Sequence, residues 1–182
     1  RTISQNTGSS STVKVSGSNT AAARDERILL AWAWDAVRDS LYFVSSRRPG
    51  EEVKYIVLDF KDAFYKVPII AKEVKYYVAK YKGAFYAWVR LPQGSVNGPT
   101  IWGRVSAFTA RCTQALVSTD EFRLQLYTDD PLGVIKATPK RADRIVGMVV
   151  LFWLILGYQL AYHKGQYSSE VDWLGYSIRY TG

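Results

Sequence analysis

Residues 122–135, FRLQLYTDDPLGVI, hold two β-rich runs on either side of the polar turn Thr128-Asp129-Asp130. The runs cover residues 122–127 and 132–135, a spacing that suits an antiparallel hairpin. Neighbouring carboxylates at its tip repel each other, which raises a pKa unless a cation neutralises them. The stretch therefore predicts a β-hairpin whose tip is either an ordinary turn or a site of chemistry.

A further carboxylate, Asp59, ends the apolar run 53–58, VKYIVL. A charge at the end of such a strand costs desolvation free energy unless a cation or a donor meets it. If the strands that carry Asp59 and Tyr127 lie side by side, Asp59, Asp129 and Asp130 converge at one end of a sheet. Spacing alone leaves a structural alternative open, in which Asp129-Asp130 is a plain turn and Asp59 is a strand-end cap.

Any metal ion bound by this chain would be held by oxygen atoms. The sequence has one cysteine, Cys112, and one histidine, His163, which excludes an internal disulfide, a Cys-cluster zinc site and a poly-His site. Carboxylate oxygens suit Mg²⁺ or Mn²⁺. Two such ions about 3.5–4 Å apart are the usual device for in-line phosphoryl displacement.

The order of the remaining elements predicts an α+β fold. Three stretches have helical periodicity, at about 21–44, 99–117 and 140–156. Two aromatic runs, 74–81 and 84–89, meet at the turn Lys82-Gly83. We expect an antiparallel sheet with helices packed on one face. Residues 1–20 are rich in Ser, Thr, Asn and Gly, and are predicted to be a flexible segment before one domain over 21–182.

Composition limits the partners and the compartment. Lys and Arg outnumber Asp and Glu 24 to 16, and the formal charge of +8 suits nucleic acid, acidic membranes or acidic proteins. The longest uncharged apolar run, 145–158, has 14 residues, whereas a bilayer requires about 20, so we expect a buried helix and no membrane span. The single cysteine indicates a reducing, intracellular compartment.

Five sequence blocks, in one order, resemble those of reverse transcriptases of the retroviral and LTR-retrotransposon kind. They are YIVLDFKDAFYKVP (55–68), LPQGSVNGP (91–99), YTDD (127–130), LGY with KGQ (156–158 and 164–166) and WLGY (173–176). Each block alone is weak, whereas the ordered set covers about two thirds of the chain and is specific. The resemblance implies the palm and part of the fingers of a right-hand polymerase.

The resemblance also implies a two-metal catalytic centre. Asp59, Asp129 and Asp130 would bind two Mg²⁺ ions, or Mn²⁺ in their place. Asp129 would be the more critical of its pair, because adjacent strand residues point to opposite faces. Lys164 would protonate the leaving pyrophosphate as a general acid, with an ordinary surface lysine as the alternative.

Five residues are assigned by the resemblance to the incoming nucleotide. The backbone N–H groups of Asp62 and Ala63 would cradle its triphosphate, as a helix N-terminal anion site. Phe64 would crowd the sugar 2′ carbon, so that dNTPs are favoured over ribonucleotides; the alternative is a plain core aromatic. Gln93 and Gly94 would line the pocket, Gly94 by letting the backbone approach closely.

Primer and template contacts are implied at two places. Trp173, Gly175 and Tyr176 would position the primer terminus, although aromatic residues in a closing hairpin are also ordinary core. Residues 61–90 carry seven Lys or Arg against two acids, between several aromatic side chains. Basic groups beside aromatic rings suit a template–primer track, and a solvated strand face is the alternative.

Some positions depart from the family pattern. Gly98 stands where a serine usually precedes the proline, Pro131 directly follows the paired acids, and His163 precedes Lys164. In the fingers, Lys14 stands near the place where the pattern has arginines that grip the triphosphate. These departures keep open the reading that the chain is a catalytically inactive, nucleic-acid-binding remnant.

We therefore expect an RNA-directed DNA polymerase domain, in which the primer 3′-hydroxyl attacks the α-phosphate of a dNTP and displaces pyrophosphate. Its partners would be an RNA or DNA template with primer, a dNTP, and the thumb, RNase H and integrase domains of a polyprotein of which it is a fragment. A nucleotidyltransferase with another template preference is a further alternative.

Overall fold

The computed structural model describes residues 3–6, 12–15 and 29–180 of the chain. Backbone contacts divide the chain into two compact units. The first unit comprises residues 1–28 and 64–102, and the second comprises residues 29–63 and 103–182. The boundary predicted after residue 20 stays a prediction.

Helices and short strands are interspersed along the described part of the chain. The strands and α-helices are β1 (Ile3–Asn6), β2 (Thr12–Val15), α1 (Ala33–Ser46), β3 (Glu52–Val57), β4 (Phe60–Lys61), β5 (Val78–Tyr81), β6 (Ala84–Ala87), α2 (Gly98–Gln114), β7 (Phe122–Tyr127), β8 (Asp130–Ala137), α3 (Pro139–Ile155), β9 (Gln159–Leu160), β10 (Gln166–Ser168), β11 (Glu170–Trp173) and β12 (Tyr176–Arg179). Short 3₁₀ turns cover Ala63–Lys66, Val74–Tyr76 and Tyr162–Lys164. The predicted α+β class is confirmed.

An antiparallel four-stranded sheet in the order β10-β3-β8-β7 forms the centre of the second unit. Val57 of β3 pairs with Leu132 of β8. The condition considered above, that the strands of Asp59 and Tyr127 lie side by side, is not met, because β8 lies between β3 and β7. Since a short turn joins β7 to β8, Asp129 nevertheless returns to the end of the sheet where β3 finishes.

Different elements cover the two faces of this sheet. On one face, Tyr55 of β3 and Val134 of β8 belong to a buried cluster with α1 and the β11–β12 hairpin. Tyr167 of β10 pairs with Ile56, whose side chain points to the opposite face because successive strand residues alternate. On that opposite face, the Tyr167 hydroxyl donates a 2.9 Å hydrogen bond to Asp143 of α3. The helices are thus divided between the two faces rather than collected on one.

Helix α1 begins later than its periodicity predicts. Residues 21–28 of the predicted helix lie outside the described residues, and residues 29–32 are not helical. The helix begins at Ala33, where the backbone N–H of Trp32 donates 2.9 Å to the Asp35 carboxylate and the Asp35 N–H donates 2.9 Å to the Trp32 carbonyl. These two bonds satisfy groups that a helix start leaves unpaired, which fixes the start at this point.

The two later helices match their predicted positions within a few residues. Predicted at 99–117 and 140–156, they cover Gly98–Gln114 and Pro139–Ile155. They contact each other through a buried hydrogen bond of 2.8 Å from Trp153 Nε1 to Thr113 Oγ1. No helix among the described residues has the length and apolar character to cross a membrane.

In the first unit, β5 and β6 form the predicted hairpin around Lys82-Gly83. Both turn residues have positive φ, 47° and 81°, which is the geometry of a tight two-residue hairpin turn. The predicted strand 74–81 is shorter, because Val74–Tyr76 forms a 3₁₀ turn. At the N-terminus, β1 pairs with β2, and the other residues of the predicted flexible segment 1–20 lie outside the described residues.

Candidate active site

The end of β3 is hydrogen-bonded to the tip of the β7–β8 hairpin. The Leu58 N–H donates 3.3 Å to the Pro131 carbonyl, and the Phe60 N–H donates 3.2 Å to the Asp129 carbonyl. Asp59 lies between these two contacts. Its carboxylate is therefore anchored beside the paired acids by backbone bonds on both sides.

Pro131 fits this arrangement although it is part of strand β8. Its carbonyl accepts from Leu58, so this edge of the residue faces β3. The regular β3–β8 pairing ends at Val57 opposite Leu132, one residue away. The missing N–H of proline thus falls just beyond the end of that ladder, where its absence costs little.

The hairpin tip is a strained turn. Tyr127 pairs with Asp130, so Thr128 and Asp129 are the two turn residues. Thr128 has φ of 55°, in the left-handed region that β-branched residues rarely adopt. Such a conformation costs on the order of 1–3 kcal/mol and is found most often at functional sites.

Lys164 forms an ion pair with Asp59. The Lys164 ammonium donates a hydrogen bond to Asp59 Oδ2. The 3₁₀ turn Tyr162–Lys164 is attached to the same residue, because the Ala161 N–H donates 3.0 Å to the Asp59 carbonyl. The hydrogen bond to Asp59, followed by the charge of that carboxylate, raises the pKa of Lys164.

The paired acids bind protons more readily than ordinary aspartates. Burial raises the pKa of Asp129, and the charge of Asp59 raises it further, while the Asp129 backbone hydrogen bond and Lys164 act in the opposite direction. Burial also raises the pKa of Asp130, with added repulsion from Asp129 and Asp59. A bound cation would relieve this repulsion, so the electrostatics of the cluster suit a positive ligand.

The donor set suits a hard cation, but the side chains are not arranged around one. Within residues 29–180, no three His, Cys, Asp or Glu side chains form a group that could hold a metal ion. At Asp59 the positive charge is supplied by Lys164. Since the acids near Asp59 offer carboxylate oxygens, they match Mg²⁺ or Mn²⁺, and an ion on Asp59 requires Lys164 to leave it.

The β11–β12 hairpin lies against the hairpin tip. Trp173 is 3% exposed, and its Nε1–H donates 3.2 Å to the Asp130 carbonyl. Leu174 and Gly175 both have positive φ, 52° and 79°, and form the turn. Tyr176, the next residue, is 62% exposed. Of the three residues assigned to the primer, Trp173 therefore contacts the backbone of Asp130 and Tyr176 faces outward.

Asp62 and Ala63 do not begin an α-helix. Asp62 has φ of 55°, and Ala63 is buried at the start of the four-residue 3₁₀ turn Ala63–Lys66. The predicted helix N-terminal anion site is therefore wrong in its helical part, because one 3₁₀ turn has no aligned stack of peptide dipoles. The assignment of these two residues to a triphosphate stays a prediction.

The other nucleotide residues lie in the first unit. The Phe64 ring packs against Trp102, with ring centroids 6.4 Å apart, and against Gly98. Gln93 and Gly94 are exposed in the loop before α2, where Gly94 has φ of 84°. The positive φ explains why glycine stands at position 94.

A groove in the second unit is not predicted by the sequence. It has a volume of about 770 Å³ and lies between α1 and β12, with Tyr55, Tyr127 and Tyr176 among its lining residues. Trp32 and Trp34 also line it, and they stand just before and at the start of α1. Trp32 and Trp34 are two residues apart, whereas residues on one face of a helix are three or four apart. This spacing is the sequence signal that the helix begins near residue 33.

Comparison with known proteins identifies the relatives of this chain. A family model described as reverse transcriptase (RNA-dependent DNA polymerase) matches residues 19–178. The Gag-Pol polyprotein of avian reticuloendotheliosis virus is 30% identical over 145 residues, which is 75% of this chain and 12% of that protein. The chain thus spans about an eighth of the length of this relative.

Solved structures have the same fold. The native prototype foamy virus protease-reverse transcriptase aligns with a TM-score of 0.59 at 23% identity, over 71% of this chain and 17% of that one. The foamy viral protease-reverse transcriptase in complex with dsDNA aligns with a TM-score of 0.67 at 19% identity, over 93% of this chain and 32% of that one.

Proposed function

The chain belongs to the reverse transcriptase family, and on that premise we propose that it catalyses template-directed addition of dNTPs to a primer. The observation that carries the proposal is the cluster of Asp59, Asp129, Asp130 and Lys164 at one end of the central sheet. Burial and mutual repulsion make this cluster a place where positive charge is favoured. Phosphoryl transfer requires such a place, because negative charge accumulates on the reacting phosphate.

Asp59, Asp129 and Asp130 are the residues that would hold two Mg²⁺ ions, or Mn²⁺. Bound there, the ions supply activation of the attacking oxygen and neutralisation of the leaving one. Lys164, once released from Asp59, has its ammonium free to donate a proton to the leaving pyrophosphate. Trp173 holds the Asp130 carbonyl and so orients the paired acids, while Tyr176 and Gly175 meet the primer terminus.

The residues assigned to the nucleotide are those that match the sequence blocks of reverse transcriptases. Asp62 and Ala63 would present backbone N–H groups to the triphosphate, and Gln93 with Gly94 would line the pocket. Phe64 would stand against the sugar 2′ carbon, which selects dNTPs because a 2′-hydroxyl has no room. The packing of the Phe64 ring against Gly98 and Trp102 supports this role, since contacts on the ring limit how far it can move away from a sugar.

The template and the remaining partners follow from charge and from the relatives. Residues 61–90 carry seven basic against two acidic side chains, which favours contact with phosphates of a template–primer. The matched relative is a Gag-Pol polyprotein. We therefore propose that the thumb, RNase H and integrase domains of such a polyprotein are the physical neighbours of this domain.

The test is primer extension with an Asp129→Asn variant, in the 182-residue chain and in a chain extended at both ends. RNA and DNA templates are compared in parallel, with Mg²⁺ and with Mn²⁺. We expect extension by the unaltered protein and its loss in the variant. Asp120→Asn, at an exposed acid before β7, is the matched control and should extend normally. Equal extension by Asp129→Asn would refute the assignment of the site.

A second candidate function is a catalytically inactive nucleic-acid-binding remnant. It is favoured by the ion pair of Lys164 with Asp59, which fills a position where catalysis needs a metal ion. In that case the protein would bind primer–template but would not extend the primer, whichever divalent ion is supplied. Extension on DNA but not on RNA templates would instead identify a nucleotidyltransferase of another template preference.

A further inference from the structure

The β5–β6 hairpin of the first unit has two exposed faces of different character. All eight strand residues are exposed. Ala79 pairs with Tyr86, and Tyr81 pairs with Ala84, so these residues share one face. Lys80 pairs with Phe85 on the other face. We call the first of these the tyrosine face.

The tyrosine face contains a recess of about 400 Å³. Its lining includes Ala79, Tyr81, Tyr86 and Trp88. Small Ala79 leaves room between the larger rings, and the Tyr81 and Tyr86 ring centroids are 6.5 Å apart. Such a volume lies within the range of small-ligand sites, and its walls are aromatic.

Trp88 lies at one side of this recess and has contacts of its own. Its ring stacks on Tyr65, with centroids 6.0 Å apart and an interplanar angle of 8°. Its backbone N–H donates 2.8 Å to the Tyr77 carbonyl. A ring that already stacks on a neighbour has less conformational entropy to lose when a planar ligand packs beside it.

Positive charge surrounds the hairpin. Residues 72–90 carry four lysines and one arginine against the single acid Glu73. Lys82 Nζ lies 5.3 Å from the Tyr81 ring centroid, and Lys80 Nζ lies 5.6 Å from that of Phe85. Lys82, in the turn, therefore places an ammonium group beside a ring of the tyrosine face, whereas Lys80 and Phe85 belong to the other face. An ammonium group beside exposed rings complements a chain of phosphates carrying planar bases.

We propose that the tyrosine face binds unpaired bases of a single nucleic-acid strand, by stacking in the recess, with Lys82 contacting the phosphates. A base pair within a duplex has both ring faces covered by its neighbours, whereas an unpaired base offers them. The site is thus selective for single strands over duplex. The identity of the strand as the unpaired template rests on the proposed polymerase function.

The test is equilibrium binding of a fluorescently labelled single strand of about 12 nucleotides, without divalent ions, at fixed salt. We expect Tyr86→Ala to weaken binding about fivefold or more, as the loss of one stacked base does. Phe85→Ala is the matched control, because it removes the adjacent, more exposed ring from the other face; it should change binding less than about twofold. Tyr86→Phe keeps the ring and should restore the affinity. Binding of a blunt duplex should not respond to Tyr86→Ala.

The proposal is overturned if Phe85→Ala weakens binding as much as Tyr86→Ala, or if Tyr86→Ala has no effect. Asp129→Asn separates this result from the polymerase proposal, because it should abolish extension while leaving single-strand binding intact. If single-strand binding follows the predicted pattern but the primer is not extended, the binding site in the recess is supported and the polymerase assignment is refuted. If the primer is extended but single-strand binding does not respond to Tyr86→Ala, the polymerase assignment is supported and the binding site in the recess is refuted.

Discussion

The ring of Phe64 lies directly against the backbone of Gly98. A Cβ atom placed on Gly98 would stand 3.3 Å from Phe64 Cε1 and 3.4 Å from Cδ1. These separations are closer than ordinary van der Waals contact, so any side chain at position 98 must push the ring. The family pattern has serine at this position. The absence of a Cβ atom on Gly98 leaves space that the Phe64 ring occupies.

We predict that Gly98→Ser and Phe64→Val are energetically coupled. Alone, Gly98→Ser should lower the free energy of unfolding by about 1 kcal/mol, because the ring must shift in a packed site. In a Phe64→Val background the smaller side chain removes the clash, so Gly98→Ser should be close to neutral. Chemical denaturation of the four proteins measures this difference. Equal effects of Gly98→Ser in both backgrounds would contradict the contact.

A separate prediction concerns sugar selection. Phe64→Val should raise the incorporation of ribonucleotides relative to dNTPs by about 10- to 100-fold, since the discrimination provided by one pocket wall is of this size. Single-nucleotide extension with matched dNTP and ribonucleotide gives the ratio. Tyr65→Phe, at the adjacent ring, is the control and should leave the ratio unchanged. Unaltered selection by Phe64→Val would remove Phe64 from the nucleotide site.

The ion pair of Lys164 with Asp59 leads to a prediction about metal binding. Lys164→Met removes a positive charge that competes with any ion on Asp59, so Mn²⁺ affinity should rise several-fold. At the same time, dNTP incorporation should slow if the lysine protonates pyrophosphate. Calorimetry with Mn²⁺ and extension kinetics measure the two effects. Lys140→Met, at an exposed lysine of α3, should change neither.

The local parts of this site follow from the sequence, and the non-local parts do not. The turns at Lys82-Gly83 and Thr128-Asp129 are encoded by a few adjacent residues, and both stand where predicted. In contrast, the partner of Asp59 is Lys164, 105 residues away. Nothing in either local sequence specifies that contact, which follows from the β4–β9 pairing and the 3₁₀ turn after it.

The misplaced start of α1 has a different cause. Helical periodicity alone continues to residue 32, but residues 29–32 are not helical, and the Asp35 carboxylate accepts a hydrogen bond from the backbone N–H of Trp32. Hydrogen bonding at one position therefore overrides a pattern of hydrophobic spacing. Likewise, the position of β8 between β3 and β7 is set by tertiary packing. The spacing of a hairpin in the sequence does not determine which of its two strands pairs with β3.

The surface ion pair between Glu121 and Arg141 predicts a pH dependence of stability. Arg141 donates two hydrogen bonds, of 3.0 and 2.8 Å, to the Glu121 carboxylate, and the hydrogen bonding holds the pKa of Glu121 below its usual 4.5. A folded-state pKa below the unfolded value stabilises the fold above about pH 4.5, and this contribution is lost as pH falls through the folded-state value.

Glu121→Gln should therefore lower the free energy of unfolding at pH 7 by about 0.5 kcal/mol, because a third of the side chain is exposed and solvent screens the pair. The difference from the unaltered protein should shrink as the pH falls below 4.5. Denaturation curves across this range measure it. Arg141→Gln should give the same loss, and the double substitution should add nothing further.

The final prediction compares two glycines in the second unit. A Cβ atom on Gly133 of β8 would stand 2.4 Å from Phe122 Cε2 and 2.8 Å from Ile56 Cγ2, both on the side chains of buried neighbours. Gly133→Ala should therefore destabilise the fold by about 2–3 kcal/mol, since a packed core cannot absorb the extra methyl group. Gly147 of α3 has no atom within 4 Å of the corresponding position.

Gly147→Ala is thus the matched control, and it should stabilise the protein by up to about 1 kcal/mol, the difference in helix propensity between the two residues. Thermal or chemical unfolding of both variants measures the change in the free energy of unfolding, which should be negative for Gly133→Ala and positive for Gly147→Ala. If Gly133→Ala were neutral, the close approach of β8 to Phe122 would be wrong, and with it the packing beneath the strand that carries Asp130. A loss of stability in Gly133→Ala together with a gain in Gly147→Ala would show that β8, the strand that carries Asp130, packs as tightly against Phe122 and Ile56 as these distances require.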